Sequence, residues 1–138
     1  MSYTTRDIYS YKCYFPDNTI IVQDDTIYDH TNSDYTKVVE FTLRNKINPT
    51  SKLRFSFELC ANGAGETVYA RWYKDGVAWG AERDVTGAAY AERNSDLIPV
   101  AELGTTFAVY SRIGSSTRVF TRNHRIEGFA SIFEESYP

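Results

Sequence analysis

Residues 53–61 read Leu-Arg-Phe-Ser-Phe-Glu-Leu-Cys-Ala, the most regular alternation of large apolar and polar side chains in this chain. Neighbouring side chains of a β-strand point to opposite faces of the sheet, so a period of two gathers the apolar set on one face. That set is Leu53, Phe55, Phe57 and Leu59, and the other face carries Arg54, Ser56, Glu58 and Cys60. The stretch predicts a strand that lines a hydrophobic core.

The same period recurs on both sides of this stretch. Residues 37–44 alternate around Val39, Phe41 and Leu43 and predict a second core strand. Residues 67–79 predict a hairpin, because Asp75-Gly76 supplies the positive φ angles that a tight turn requires.

A second hairpin is predicted between residues 105–113 and 117–126, across Gly114-Ser115-Ser116. Weaker strands are expected at residues 8–15, 19–23, 88–93 and 129–133. Roughly eight to ten short strands separated by turn signals are typical of an all-β sandwich or barrel. No repeat or linker divides the chain, so we expect a single domain over residues 1–138.

Composition narrows the classes of function. The 138 residues are 42% apolar, 15% aromatic and 24% charged, which is typical of a globular domain. A net charge of -3 gives no electrostatic attraction to nucleic acid, so we expect no nucleic-acid partner. No stretch approaches the roughly 18 consecutive apolar residues of a membrane helix, so no membrane insertion is expected. Residues 1–7 lack a signal-peptide pattern, which favours synthesis in the cytoplasm.

Catalytic and metal-binding patterns are weak. Cys13 and Cys60 have no close-spaced motif, so they are either two small apolar side chains or one disulfide. His30 and His124 lie far from each other and from both cysteines, which does not predict a zinc site. The acidic stretch 24–34 lacks the spacing of a calcium loop and reads as a solvated loop. We expect no cofactor, no metal and no enzymatic activity. A small β-barrel enzyme ranks third among the functional hypotheses, after the structural protein and the binding module described below.

The most informative set for function is a row of Tyr and Arg on two predicted strands. Tyr69, Arg71 and Tyr73 alternate with apolar residues on one strand, and Tyr110 and Arg112 do so on another. If exposed, such a face has the composition of a subunit interface, and its rings would also suit sugar recognition. The plain alternative is that these side chains are partly buried at a sandwich edge. Subunit contact is preferred over ligand binding, because small-molecule pockets are concave.

A second group of polar residues is basic. Arg118, Arg122, His124 and Arg125 lie close together near the end of the chain. They either recognise phosphate or a sialic-acid-like anion, or are neutralised by acidic neighbours on a charge-balanced surface. The second interpretation is the simpler one.

The run from Val68 to Val85 reads Val-Tyr-Ala-Arg-Trp-Tyr-Lys-Asp-Gly-Val-Ala-Trp-Gly-Ala-Glu-Arg-Asp-Val. It resembles a hairpin pattern of jelly-roll structural proteins of viruses and phages, in which Lys-Asn/Asp-Gly-Val-Ala precedes Gly-x-Glu-Arg. Residues 107–112, Phe-Ala-Val-Tyr-Ser-Arg, and 121–126, Thr-Arg-Asn-His-Arg-Ile, resemble the closing hairpin of such domains. The resemblance covers residues 66–127, and Trp79 and Ala88-Ala89 depart from it.

This resemblance implies a two-sheet antiparallel sandwich of jelly-roll type, akin to trimeric coat, tail or tumour-necrosis-factor-like modules that bury aromatic sheet faces between subunits. It transfers no catalytic residue. The leading hypothesis is therefore a non-enzymatic structural protein of a virion, which assembles with itself, a trimer being favoured, or with other virion proteins. The alternative is a carbohydrate-binding or receptor-recognition module whose partner is a glycan.

Overall fold

The computed structural model describes residues 4–8, 19–43, 52–95, 98–99 and 106–129. Most of the strands predicted at 8–15 and 129–133, and Cys13, lie outside these residues. The described ranges hold twelve strands: β1 (Thr4–Ile8), β2 (Thr19–Asp24), β3 (Tyr28–His30), β4 (Thr36–Leu43), β5 (Lys52–Ala61), β6 (Thr67–Lys74), β7 (Val77–Ala78), β8 (Arg83–Thr86), β9 (Ala91–Asn94), β10 (Ile98–Pro99), β11 (Thr106–Ile113) and β12 (Val119–Phe129). No helix in these ranges has the length and hydrophobicity needed to cross a membrane.

The strands form two six-stranded sheets. Sheet I has the order β1-β4-β11-β6-β7, with β8 also paired to β6, and sheet II has the order β10-β5-β12-β2, with β9 on β5 and β3 on β12. The prediction of an all-β, two-sheet sandwich is confirmed. Its jelly-roll type stays a prediction, and at one edge of sheet I the β1–β4 pair is parallel.

The core lies between the sheets and is aromatic. The predicted apolar face of β5 is buried, with Phe55 and Phe57 each only 1% exposed. Phe55 of sheet II contacts two rings of sheet I edge-on or tilted, with ring centroids 5.2 Å from Trp72 and 4.8 Å from Phe107. Trp79 packs edge-on against Phe55 at 5.1 Å and so covers the core. Aromatic pairs at this spacing hold the two sheets together.

The first predicted hairpin is confirmed. β6 and β7 pair through Tyr73 with Ala78 and Lys74 with Val77. Asp75 and Gly76 both have positive φ, 50° and 80°, which matches the right-handed twist of the two strands. This unit is the first of the two hairpins that carry the resemblance to viral and phage proteins.

The second predicted hairpin is wrong. β11 pairs with β4 and β6 in sheet I, whereas β12 pairs with β2, β3 and β5 in sheet II. The segment Gly114-Ser115-Ser116 therefore crosses from one sheet to the other instead of turning back. Side chains hold this crossing: Ser115 Oγ accepts a hydrogen bond from the Thr67 amide, and Ser116 Oγ accepts one from the Asn62 amide. Sequence periodicity identified both strands but contained no information on their partners.

The described strands contain three register shifts, two of which change the alternation of faces in β4 and β12. In β4, Val39 pairs with Val109 but Lys37 pairs with Tyr110, so Val38 is the extra residue and both valines are buried. In β12, Arg122 pairs with Glu58 and Arg125 with Ser56 across a second bulge. There Asn123 has φ 52°, in the left-handed region that Asn tolerates better than most residues. This bulge explains why residues 119–126 show no pure apolar face in sequence.

Replacing Gly114 by Ala should destabilise the fold. An added Cβ would lie 2.6 Å from Tyr69 Cε2 and 2.7 Å from the Thr67 carbonyl oxygen, so the crossing would have to move. We expect a loss of about 1–3 kcal/mol in the free energy of unfolding, measured by urea titration. The matched change Gly63→Ala meets only the flexible Glu66 side chain, at 3.3 Å, and should cost much less. Equal losses would show that the close approach at Gly114 is unimportant.

Asn123 offers a test of the second bulge. Asn123→Gly and Asn123→Ala both remove the side-chain amide, but only glycine adopts φ 52° without steric strain. The alanine variant should therefore be about 1 kcal/mol less stable than the glycine variant in the same urea titration. Equal stabilities would mean that β12 relaxes out of the bulge.

Candidate functional site

The five predicted interface residues lie on one face of sheet I. Neighbouring strands β11 and β6 pair Tyr110 with Arg71 and Arg112 with Tyr69, and they place Tyr73 opposite Ala108. Val68, Ala70 and Trp72 are buried in the core, while all five Tyr and Arg side chains remain partly exposed. The pattern read from the sequence thus forms a continuous outer surface, which we call the Tyr–Arg face.

The rings and guanidinium groups of the Tyr–Arg face are held in place by one another. Tyr73 and Tyr110 stack with centroids 3.7 Å apart and an interplanar angle of 13°. The Arg112 guanidinium lies 4.0 Å from the centroid of the Tyr69 ring, a cation–π contact. Arg71 donates from Nε to the Gly80 carbonyl at 2.9 Å. The face is preorganised, so a partner would order few side chains on binding.

Two further residues of the Tyr–Arg face were missed in the sequence. The Tyr35 hydroxyl donates to Glu82 Oε2 at 2.5 Å, and Arg112 Nη2 lies 3.3 Å from the same carboxylate oxygen. The hydrogen bond from Tyr35, supported by Arg112, holds the pKa of Glu82 below its usual value. Burial and the Glu82 carboxylate raise the pKa of Tyr35. Both residues lie in loops, where alternation carries no signal.

Charges of both signs lie on the Tyr–Arg face. Lys37 Nζ pairs with Glu40 at 3.0 Å and lies 5.9 Å from the centroid of the Tyr110 ring. Glu82 pairs with Arg112 at 3.3 Å. The face therefore carries acidic and basic groups around a ring-stacked centre.

A concave site lies on the outer side of sheet II. This polar cleft has a volume of about 360 Å³ and is lined by Gln23, Asp25, Ile27, Glu58, Arg122 and Asn123. Asn123 Nδ2 donates to Glu58 Oε2 at 2.8 Å, and Arg122 Nε donates to Glu58 Oε1 at 2.7 Å. These two donors, that of Asn123 first, lower the pKa of Glu58 and keep it ionised. The second bulge supplies Asn123 to the cleft, as bulges often do at binding sites.

The predicted basic cluster does not form a free anion site. Arg118 pairs with Asp29, Arg122 with Glu58, and Arg125 with Glu92. The charge-balanced interpretation is therefore the one that the geometry supports. The acidic partners come from β3, β5 and β9, which are remote in sequence from β12.

Both histidines are buried and neutral hydrogen-bonding groups. His124 is 0% exposed. Its Nδ1 donates to the Asp24 carbonyl oxygen at 3.1 Å, and its Nε2 accepts from the Thr121 hydroxyl at 2.8 Å. His30 Nδ1 accepts from the Asn32 amide, and its Nε2 donates to Ser111 Oγ. Burial lowers the pKa of His124 to about 4. Neither ring is available as a catalytic base.

The acidic stretch 24–34 is more structured than the solvated loop that the sequence predicts. Asp24 is buried, and it accepts hydrogen bonds from the Tyr28 hydroxyl at 2.6 Å and the Thr26 amide at 3.0 Å. Within the described ranges, no group of three or more His, Cys, Asp or Glu side chains is placed to hold a metal ion. Cys60 is a buried free thiol, and burial raises its pKa.

Comparison with known proteins finds similar folds but identifies no family. No protein-family model matches the sequence, and no curated protein matches it. Among solved structures, the C-terminal domain of EclA, a sugar-binding protein, superposes with a TM-score of 0.55 at 12% identity, covering 74% of this chain and 77% of that one.

A second structural neighbour is the insecticidal delta-endotoxin Cry8Ea1 from Bacillus thuringiensis, with a TM-score of 0.50 at 14% identity. The match covers 76% of this chain, which spans only 19% of the toxin chain. At these identities the two matches establish a shared β-rich fold, and no viral jelly-roll family is shown.

Acidification should destabilise the protein through His124. The folded pKa of about 4 lies below the ordinary value of 6.5, so between these values the unfolded chain binds a proton that the folded chain does not. Stability is therefore complete above pH 6.5 and falls as the pH is lowered toward 4, by about 2 kcal/mol between roughly pH 7.5 and pH 5. Urea titrations at both pH values measure this loss. In His124→Gln the loss should shrink; an unchanged loss would assign it to other groups.

Proposed function

We propose that this chain is a non-enzymatic assembly module that associates with further copies of itself through the Tyr–Arg face. The observation that carries the proposal is the convergence of Tyr69, Arg71, Tyr73, Tyr110 and Arg112 on one preorganised outer surface. Tyr and Arg are the residues most enriched among those that dominate binding energy at interfaces.

Unused polar groups on the face support a protein partner. Among the described residues, none accepts a hydrogen bond from the Nη atoms of Arg71, which donates only from Nε. A second copy would satisfy such groups with its own carboxylates and backbone carbonyls. Interfaces typically surround an aromatic centre with a polar rim of this kind.

The mixed charge of the face suits pairing with itself. When the same surface meets its copy around a twofold axis, each acidic group needs a basic group to face. Lys37, Glu40, Glu82 and Arg112 provide both signs beside the stacked rings. Such pairing makes a twofold dimer the simplest assembly, whereas the viral and phage resemblance favours a trimer. The molar mass in solution distinguishes the dimer from the trimer.

Sugar binding at this face is the less favoured alternative. Tyr73 and Tyr110 stack on each other at 3.7 Å, and Arg112 lies over the Tyr69 ring at 4.0 Å, so one face of each ring is already covered and less aromatic surface is left for a sugar. The sugar-binding role of EclA belongs to that protein, since 12% identity carries only the fold.

The setting we propose for this assembly is a virus or phage-like particle. The support is the resemblance of residues 68–85, whose hairpin at Asp75-Gly76 forms as that pattern implies. The closing hairpin that residues 107–112 and 121–126 resemble does not form, because β11 and β12 lie in different sheets. In this setting the domain needs no catalytic residue, cofactor or nucleic-acid contact, and it acts by joining subunits.

The test is the molar mass in solution, measured by light scattering behind size exclusion over a range of protein and salt concentrations. Tyr110→Glu removes the Tyr73 stack and places a charge at the centre of the face. We expect it to weaken self-association by about 30-fold or more, as for an interface residue worth about 2 kcal/mol.

The matched control is Ile27→Glu, which adds the same charge at a position 53% exposed in the loop between β2 and β3, away from the Tyr–Arg face. It should leave the association unchanged. A wild-type protein that is monomeric at every concentration, or an oligomer equally weakened by both variants, would contradict the proposal.

A further inference from the structure

The polar cleft lies on the opposite side of the sandwich from the Tyr–Arg face and is separate from the proposed assembly surface. Its volume of about 360 Å³ falls within the range of roughly 300–1,000 Å³ typical of ligand clefts. Its residues come from three strands, β2, β5 and β12, and from the segment that follows β2. Four of the six lining residues therefore lie on strands, and Asp25 and Ile27 lie in the loop between β2 and β3.

Hydrogen bonds join the polar residues of the cleft into one chain. Gln23 Nε2 donates to Asp25 Oδ1 at 2.8 Å and to Asn123 Oδ1 at 2.5 Å. Asn123 and Arg122 in turn donate to the two oxygens of Glu58. The Arg122 guanidinium also lies 3.8 Å from the centroid of the Tyr90 ring. Each side chain is thus oriented by a neighbour before any ligand arrives.

Several polar atoms of this hydrogen-bond network have no partner in the part of the chain that the structure describes. Within the described residues, Gln23 Oε1 and Asp25 Oδ2 accept no hydrogen bond, and Arg122 donates from Nε but not from its Nη atoms. The cleft thus offers acceptors at one end and donors at the other. A ligand that both donates and accepts at neighbouring positions would satisfy both ends.

The charge of the cleft selects against anions. Two carboxylates, Asp25 and Glu58, face one guanidinium, that of Arg122, which leaves a net charge of -1. Phosphate or a sialylated glycan would therefore be repelled, and Arg122 opposes a small cation. Ile27, 53% exposed, adds an apolar wall. Adjacent hydroxyls on a ring with an apolar C–H surface match this arrangement.

We propose that the polar cleft binds a neutral saccharide. Hydroxyls of the sugar donate to Asp25 Oδ2 and Gln23 Oε1, neighbouring hydroxyls accept from the Nη atoms of Arg122, and the C–H face of the ring contacts Ile27. The bulge at Asn123 shapes the site, because it places in the cleft the side-chain amide that is hydrogen-bonded to both Gln23 and Glu58.

The experiment is an amide NMR titration of the full chain with methyl glycosides of mannose, glucose, galactose and N-acetylglucosamine. Sialyllactose and inorganic phosphate serve as anionic probes. At least one neutral glycoside should shift the resonances of Gln23, Asp25 and Asn123 saturably. The anions should shift none of them.

Variants locate the binding. Asn123→Gly permits the same backbone conformation and removes the amide, and Arg122→Gln removes the guanidinium with its two Nη groups. Each variant should weaken binding at least about tenfold. The control is Arg118→Gln, because Arg118 has the same 42% exposure as Arg122 and also forms an ion pair, with Asp29 outside the cleft. It should bind like the wild type.

The proposal is overturned if no neutral glycoside shifts the cleft resonances, if the anions bind better, or if both cleft variants retain affinity. The amide spectrum of each variant reports its fold, and Arg122→Gln, at a partly exposed position, serves if Asn123→Gly unfolds. Tyr110→Glu should still bind the glycoside, so this test and that of self-association fail independently.

Discussion

Contact between Phe55 of sheet II and the rings of Trp72 and Phe107 in sheet I is the interaction on which the rest of the structure depends. Two sheets bury one face each, and the aromatic rings fill the space between them at centroid distances near 5 Å. Because the core uses one face of each central strand, the opposite faces are left for polar and aromatic side chains. Both candidate sites lie on those outer faces.

The strands that carry the two candidate sites differ in regularity. On sheet I, β6 and β11 pair without interruption over seven residues and carry the row of Tyr and Arg, while the bulge of that sheet lies in β4. On sheet II, the bulge in β12 pushes Asn123 out of the ladder and leaves a hollow beside it. Flat faces suit macromolecular partners and hollows suit small ligands, so a single fold presents two kinds of surface.

Much of the fold could be predicted from local pattern. Alternation identified the core face of β5, and Asp75-Gly76 identified the turn between β6 and β7. The crossing at Gly114 could not be predicted, because a glycine-serine segment suits a turn and a crossover equally. The Tyr–Arg face was found because its residues alternate within strands. The polar cleft was missed because it joins residues a hundred positions apart, Gln23 and Asn123, through a bulge that hides the period of β12.

The position of β12 in its sheet also affects how the chain folds. This strand follows the other eleven in sequence, yet it lies at the centre of sheet II and joins β5 to β2 and β3. Among the described strands, β12 is the main partner of β5 and the only partner of β2 in that sheet. Closure of sheet II therefore joins distant parts of the chain. Domains dominated by such distant pairings fold on a timescale of about milliseconds to seconds, and their exposed strand edges favour aggregation in the interval.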